Sequence, residues 1–181
     1  MAAPPGKDRF LATIGRQRRI CLDTNVAIYH LGAEPRYARL VTGLFRLAMN
    51  GDVEIVFSAI AQMELMVGPL KQGDFDTVER VIDLTERHPN VFTADVSRAV
   101  VHQAAILCAE GFDFADSLIV ATGIATDCDA IVTNDGAWQR ALTRFRARRP
   151  LTSTDGVLRL PQIIYLDEFV DSEVSEKKPW K

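Results

Sequence analysis

Short apolar runs alternate with amphipathic segments along most of the chain. Strand-length apolar runs occur at RICLD, VEIVFS, NVFTA, DAIVT and QIIYL. Between them apolar residues recur at helical spacing, which predicts helices over 24–31, 35–50, 59–67, 75–88, 96–110, 114–126 and 136–145. Strands that alternate with helices favour a parallel sheet covered on both faces. The pattern therefore predicts an α/β fold, a three-layer α/β/α sandwich with a mostly parallel central sheet.

The segments outside this pattern divide the chain. Residues 1–18 contain Pro and Gly and lack the continuous apolar run of a secretory signal, so we expect a flexible arm and a cytoplasmic protein. Residues 19–170 form the predicted domain. The tail, 171–181, mixes charges around a proline, which predicts disorder. No apolar stretch approaches the roughly 18 residues of a membrane helix.

Composition and charge limit the classes of protein to which the chain can belong. The chain has 181 residues, of which 48% are hydrophobic and 25% charged, as in ordinary globular domains. A net charge of −3 argues against coating nucleic acid by bulk electrostatics, although it allows a local basic patch. The three cysteines lie in apolar segments, which favours buried free thiols.

Two acids stand at the ends of predicted strands. Asp23 ends RICLD, and Asp135 follows DAIVT by two positions. In open parallel sheets, ligands bind outside the carboxyl ends of the strands, so both acids are candidate site residues. Each is also a candidate N-cap for the helix that follows it, as is Asn134, because Asp and Asn are favoured caps.

Two further acids lie on predicted helices. Glu64 shares the apolar stripe of Ile60, Met63 and Val67, which predicts that it faces the sheet. A buried carboxylate costs several kcal/mol unless it is paired, so either a ligand or a remote arginine is expected beside it. Asp116 lies in the first turn of its helix, where an acid also suits the helix dipole.

Together the four acids predict one acidic pocket. Mutual repulsion raises the pKa values of clustered carboxylates, and a divalent cation relieves that repulsion. Oxygen ligands favour Mg²⁺ or Mn²⁺. Such a site suits phosphodiester hydrolysis, because a metal activates water and stabilises the leaving oxygen.

Four segments, taken in order, resemble the acidic motifs of the PIN domain family, and in detail those of its bacterial VapC-type members. They are ICLDTNVAIYHL, SAIAQMELMVG, FDFADSLIVATGIA and AIVTNDGAW. The resemblance spans about 19–145 and implies a compact parallel sheet and a Mg²⁺- or Mn²⁺-dependent endoribonuclease acting on RNA. It also implies a homodimer and, in many members, the toxin half of a toxin–antitoxin pair.

The resemblance implies roles by position. Asp23 and Asp116 would be the principal metal ligands, and Glu64 and Asp135 would complete the pocket directly or through water. Three polar residues would orient ligands and water: Asn25, Thr133 and Asn134.

Two alternatives stay open. One is a noncatalytic RNA-binding or assembly protein with a PIN fold. The other is an aspartyl-phosphate phosphatase, which also begins with an acid after the first strand; that chemistry usually needs a second Asp two positions on, where this chain has Asn25. The arm, the tail and the polar loop 152–156 are longer than in a typical VapC-type toxin.

A basic cluster lies beyond the fourth acid. It consists of Arg140, Arg144, Arg146, Arg148 and Arg149. These arginines are candidates for RNA phosphates. They are equally suited to a solvated helix C-terminus. The aromatic residues Tyr29, Tyr37, Trp138 and Phe145 are candidates for base stacking or for the core.

Overall fold

The computed structural model describes residues 6–147, 152–153, 156–157 and 160–170. Its strands are β1 (Arg19–Leu22), β2 (Glu54–Ser58), β3 (Val91–Ala94), β4 (Ala130–Thr133), β5 (Thr152–Ser153), β6 (Gly156–Val157) and β7 (Gln162–Tyr165). Its α-helices are α1 (Gly6–Ile14), α2 (Thr24–Leu31), α3 (Ala38–Met49), α4 (Ala59–Gln72), α5 (Phe75–Ile82), α6 (Arg98–Ala109), α7 (Phe114–Ala125) and α8 (Gly136–Ala147). A π-helical turn, Asp83–Arg87, continues α5, and a 3-10 turn, Leu166–Phe169, follows β7.

Five strands form one parallel sheet in the order β3-β2-β1-β4-β7. Cys21 of β1 is in register with Val56 on one side and Ile131 on the other. Strands β5 and β6 form a separate antiparallel pair within the predicted polar loop. The predicted α/β/α class and parallel sheet are confirmed.

The central strands are apolar because both of their faces are covered. All residues of β4 are buried, as are all but the first of β1 and β2. Helix α7 is buried from Ser117 to Gly123 and packs on β1, β2 and β4. A Cβ at Gly123 would lie 3.0 Å from Ile131 and 3.2 Å from Cys21, so this glycine allows the helix to lie directly on the sheet.

The chain before β1 forms helix α1, so the prediction of a flexible arm is wrong for residues 6–14. Phe10 and Ile14 are fully buried, and the Phe10 ring packs edge-on against Phe169 at 5.3 Å. Leu11 packs on Gly43 of α3, where an added Cβ would lie 2.8 Å from its side chain. The apolar residues at helical spacing outweigh the Pro and Gly of the first residues. The predicted tail, 171–181, lies outside the described residues.

The cysteines are free, as predicted, and two of them, Cys21 and Cys128, are buried. Within the described ranges, no helix combines the length and the apolar character needed to cross a bilayer.

Candidate active site

The carboxyl edge of the sheet carries the site where β1 and β4 lie side by side. After β1, the next two strands, β2 and β3, are added on one side of it. The later strands, β4 and then β7, are added on its other side, so the strand order reverses between β1 and β4. Ligand sites of open parallel sheets form at such a reversal of strand order. Asp23 stands just beyond β1, and its backbone N–H donates to the Val132 carbonyl at 3.0 Å. Two acids are therefore brought to the same crevice, Asp23 from β1 and Asp135 from beyond β4.

Asp23 is 5% exposed, and its carboxylate does not serve as a helix cap. Although it immediately precedes α2, its side chain forms no capping hydrogen bond. Instead, its Oδ2 accepts hydrogen bonds from Asn25 Nδ2 at 2.7 Å and from Thr133 Oγ1 at 2.6 Å. Two side-chain donors thus fix the orientation of the carboxylate through one oxygen.

Asp135 both caps a helix and borders the pocket. Its Oδ1 accepts a hydrogen bond from the Ala137 N–H at 2.7 Å, which satisfies a free donor at the start of α8. Its own N–H donates to Thr133 Oγ1 at 3.0 Å. The Thr133 hydroxyl therefore ties the backbone of Asp135 to the carboxylate of Asp23.

Asp116 enters the pocket from the first turn of α7. The cap of this helix is Asp113, whose Oδ1 accepts a hydrogen bond from the Ala115 N–H at 3.1 Å. Asp116 is half-buried, and within the described residues its carboxylate accepts no hydrogen bond of standard geometry. Beside it lies the fully buried indole of Trp138, whose N–H is close enough to lower the pKa of Asp116 but forms no hydrogen bond of standard geometry.

The prediction that Glu64, Met63 and Val67 of α4 face the sheet is wrong. The buried residues of this helix are Ala61 and Leu65, whereas Met63 is 50% and Val67 is 38% exposed. The helix packs through its small and branched residues on the neighbouring face. Its apolar stripe lies towards solvent.

Glu64 is accordingly exposed, yet it borders the same pocket. Its Oε2 accepts a hydrogen bond from Thr24 Oγ1 at 2.5 Å, in the first turn of α2. Its charge also raises the pKa of Asp116. No ion pair to Glu64 occurs within the described ranges, so the remote arginine considered from the sequence is not found there.

Burial and mutual repulsion control the charge of the pocket. Burial raises the pKa of Asp23 to about 7, the hydrogen bond from Thr133 lowers it, and the Asp116 and Asp135 charges raise it. Burial also raises the pKa of Asp116 to about 6, with a further increase from Asp135 and a decrease from Trp138. Close carboxylates without a cation produce shifts of this sign.

The donor set fits a hydrated Mg²⁺ or Mn²⁺. It consists of oxygens, and the buried Asn25 Oδ1 beside Asp23 has no hydrogen-bond partner. Among the described residues, no three acidic, Cys or His side chains are close enough to enclose an ion by themselves. Mg²⁺ suits this arrangement, because it typically binds one or two carboxylates and keeps several waters.

Asn134 points away from the four acids. Its Nδ2 donates to Tyr37 Oη at 2.7 Å, and its Oδ1 accepts from the Asp167 N–H at 3.1 Å. The residue therefore joins β4 to the start of α3 and to the turn after β7. The structure does not place it among residues that contact the carboxylates.

Thr24 was missed from the sequence, and Trp138 was considered only for base stacking or for the core. A signal for Thr24 was present, because it stands between two site residues in the first turn of a helix. Trp138 carries no such signal, since an aromatic residue at helical spacing usually belongs to the core, where Trp138 in fact lies. Tyr29 and Tyr37 stack on each other at 4.3 Å.

The predicted RNA-binding arginines are described only in part. Arg140 is exposed, and its Nη1 lies 3.5 Å from the Gly136 carbonyl. Arg144 and Arg146 belong to α8, but their side chains lie outside the described residues, as do Arg148 and Arg149 altogether. Contacts of this cluster with RNA phosphates therefore stay a prediction.

Most of the chain is similar to a known protein family. The model of the PIN domain family matches residues 20–142. Ribonuclease VapC19 of Mycobacterium tuberculosis is 30% identical over 115 residues, which cover 62% of this chain and 86% of that protein.

Solved structures share the fold at lower identity. FitAB bound to an IR36 DNA fragment has a TM-score of 0.57 and 20% identity, covering 81% of this chain and 94% of its own. VapBC-1 of nontypeable Haemophilus influenzae has a TM-score of 0.54 and 16% identity, covering 82% and 98%. VapBC2 of Rickettsia felis, bound to a promoter DNA fragment, has a TM-score of 0.52 and 22% identity, covering 67% and 92%.

Proposed function

This chain belongs to the PIN domain family, and on that premise we propose that it is an endoribonuclease that hydrolyses RNA phosphodiester bonds with Mg²⁺ or Mn²⁺. What supports the proposal is that the charges of Asp116 and Asp135 raise the pKa of Asp23, and that those of Asp135 and Glu64 raise the pKa of Asp116, so these carboxylates lie near one another. The 30% identity to a VapC ribonuclease supports the same reaction class. A divalent cation, when bound there, lowers the pKa of a water and offsets the charge of the phosphodiester.

The chain's own residues would hold the cation and orient its ligands. Asp23 and Asp116 are the proposed principal ligands, as the family resemblance implies, and within the described residues neither forms an ion pair. Asn25 and Thr133 hold the Asp23 carboxylate in one orientation. Thr24 holds Glu64 at the rim. Ligands fixed in this way retain their geometry when the cation and its waters bind.

RNA cleavage by the purified chain tests the proposal. The wild-type protein is expected to cut a labelled single-stranded RNA with Mg²⁺ or Mn²⁺ and not with a chelator. Asp23→Asn and Asp116→Asn are each expected to abolish cutting without loss of the folded state in circular dichroism. Asp76→Asn, an exposed acid on α5, is the matched control and should cut normally.

Two outcomes separate the alternatives. RNA binding without metal-dependent cutting would favour the noncatalytic PIN protein. Full activity of both Asn variants would refute the assignment of the carboxylates.

We propose further that the chain is the toxin half of a pair and that its protein antitoxin covers an apolar surface. Met63, Val67 and Leu70 of α4 are exposed, and so is Ile28 of α2, which packs against α4. Contiguous apolar surface on a soluble domain is typical of a protein contact. The solved structures of this fold include VapBC complexes, which supports a partner of this kind.

Inducible expression in a bacterial host tests the toxin proposal. Wild-type chain without a partner should arrest growth, and Asp116→Asn should not, because the arrest requires cleavage. Equal growth of the two cultures at equal protein levels would contradict it. A homodimer, which the family resemblance also predicts, would appear as twice the monomer mass in sedimentation.

A further inference from the structure

A basic groove lies between α1, which precedes the region matched by the family model, and α3, which lies inside it. The groove has a volume of about 270 Å³ and is lined by Lys7 of α1 and by Arg39, Thr42 and Arg46 of α3. The PIN match begins at residue 20, after α1 ends. One wall of the groove therefore lies outside the part of the chain that the family model matches.

The packing of α1 fixes the shape of the groove. Phe10 and Ile14 are fully buried, and Leu11 lies against Gly43 with no room for a Cβ. Arg9 donates to the Glu168 carbonyl at 2.7 Å, which holds the same helix to the turn after β7. Lys7 is consequently held opposite α3 by a packed helix.

The cations of the groove are not neutralised. Arg39 and Arg46 are seven residues apart, two turns along one face of α3, or roughly 10 Å along the helix axis. Within the described residues, neither arginine forms an ion pair, and nor does Lys7. The described residues that line the groove include no acid. Three positive charges thus face one concave surface, which favours an anionic ligand longer than a single group.

The groove lies along a helix that begins near the carboxyl edge of the sheet. Tyr37, one residue before α3, donates a hydrogen bond to Asp167 and accepts one from Asn134, which adjoins Asp135. The start of α3 is therefore tied to the carboxyl edge of the sheet, and Arg39 lies in its first turn. From there the row of cations leads away from the proposed site of cleavage.

We propose that this groove binds backbone phosphates of the RNA strand at nucleotides outside the cleaved bond. The inference rests on the proposed ribonuclease function and adds a second contact to it. Arginine pairs with phosphate oxygens through two parallel N–H donors, and a row of cations follows a strand without reading its sequence. An acidic protein segment is the competing occupant, and the test distinguishes the two.

Binding of a labelled single-stranded RNA of mixed sequence tests the proposal. Full-length protein carrying Asp23→Asn is used with a chelator, so that the probe stays intact. Adding Arg39→Gln with Arg46→Gln should weaken binding about tenfold or more and make the salt dependence shallower by about 1.4 in log–log slope, since each single-strand phosphate contact contributes about 0.7. Arg39→Lys with Arg46→Lys should restore most of the slope.

The control carries the same change of charge elsewhere. Lys71→Gln with Arg98→Gln removes two exposed cations from α4 and α6 and should leave affinity and slope unchanged. Melting temperatures establish that each variant is folded. Unchanged RNA affinity and slope in the Arg39 and Arg46 pair would overturn the proposal, and loss of polyglutamate binding in that pair would assign the groove to an acidic segment.

The two proposals fail separately. If the wild-type chain cuts no RNA, the ribonuclease proposal fails, whatever the groove binds. If it cuts RNA and the groove variants bind RNA as wild type does, only the groove proposal fails.

Discussion

At the scale of single residues, the Asp23 carboxylate is buried beside two other acids and is held by two neutral donors. Its neighbours Asn25 and Thr133 fix its orientation without supplying positive charge. Metal-free protein therefore retains a proton there up to a pKa of about 7. A divalent cation displaces that proton, so metal binding and pH are linked at this residue.

The stability of the metal-free protein is expected to fall as pH rises from about 4 to 7. The pKa of Asp23 is raised from 3.8 to about 7 on folding, so the folded state holds the proton more tightly and loses this advantage as the group ionises. The shift corresponds to a decrease in the free energy of unfolding on the order of 4 kcal/mol across this pH range. Asp23→Asn and saturating Mn²⁺ should each flatten the dependence, measured by thermal unfolding, and equal slopes with and without Asp23 would contradict this account.

Thr133→Val tests the positioning of the Asp23 carboxylate. The change keeps the shape of the buried side chain but removes the bonds to Asp23 and to the Asp135 N–H. We expect Mn²⁺ affinity to fall about 10- to 100-fold, as for other residues that orient metal ligands. Thr133→Ser keeps the hydroxyl and should retain most of the affinity. A loss in the Ser variant as large as in the Val variant would contradict the role of the hydroxyl.

The sequence located some of these residues and not others, for identifiable reasons. Asp23 and Asp135 were predictable because strand ends are marked by apolar runs that stop abruptly. The environment of Glu64 was not predictable, because Met63 and Val67, which share its side of the helix, lie on an apolar surface and not in the core. Trp138 reaches the pocket only through the packing of α8, which a pattern does not encode.

At the scale of elements, α7 determines where Asp116 lies. Its residues from Ser117 to Gly123 are buried, and Gly123 brings it against β1 and β4. The long apolar run made the helix predictable, and α2 and α4 were predicted with their correct starts. Helix α1 was not, because the Pro and Gly of the first residues obscured a short amphipathic pattern that is stabilised by contacts with α3 and the turn after β7.

Gly123→Ala should lower the free energy of unfolding, although alanine favours helices. The added Cβ meets Ile131 and Cys21 at 3.0–3.2 Å, and overpacking typically costs about 1–3 kcal/mol against a propensity gain of about 1 kcal/mol. Gly136→Ala is the matched control, because a Cβ there meets nothing within 4 Å, and it should stabilise by about 0.4–1 kcal/mol. Chemical denaturation measures both, and equal stabilisation by the two changes would contradict the close approach of α7.

At the scale of the whole molecule, strand order brings the acids together. The order β3-β2-β1-β4-β7 places the ends of β1 and β4 next to each other, although Asp23 and Asp135 are far apart in sequence. Alternating strands and helices predicted the class of this sheet, and the rule that ligands bind outside the carboxyl ends of parallel strands predicted the edge at which Asp23 and Asp135 lie. The exposed surface of α4 and the groove of α1 depend on which helix faces remain uncovered, and only the folded chain defines those.

Calorimetric titration of the metal-free protein with Mn²⁺ at about pH 7.5 tests the central claim, that the acids share one cation site, most directly. We expect saturable binding, a loss of affinity of about tenfold or more in Asp23→Asn and in Asp116→Asn, and wild-type binding in Asp76→Asn. Wild-type protein that binds no Mn²⁺, or that binds it as tightly without Asp23 and Asp116 as with them, would contradict the account.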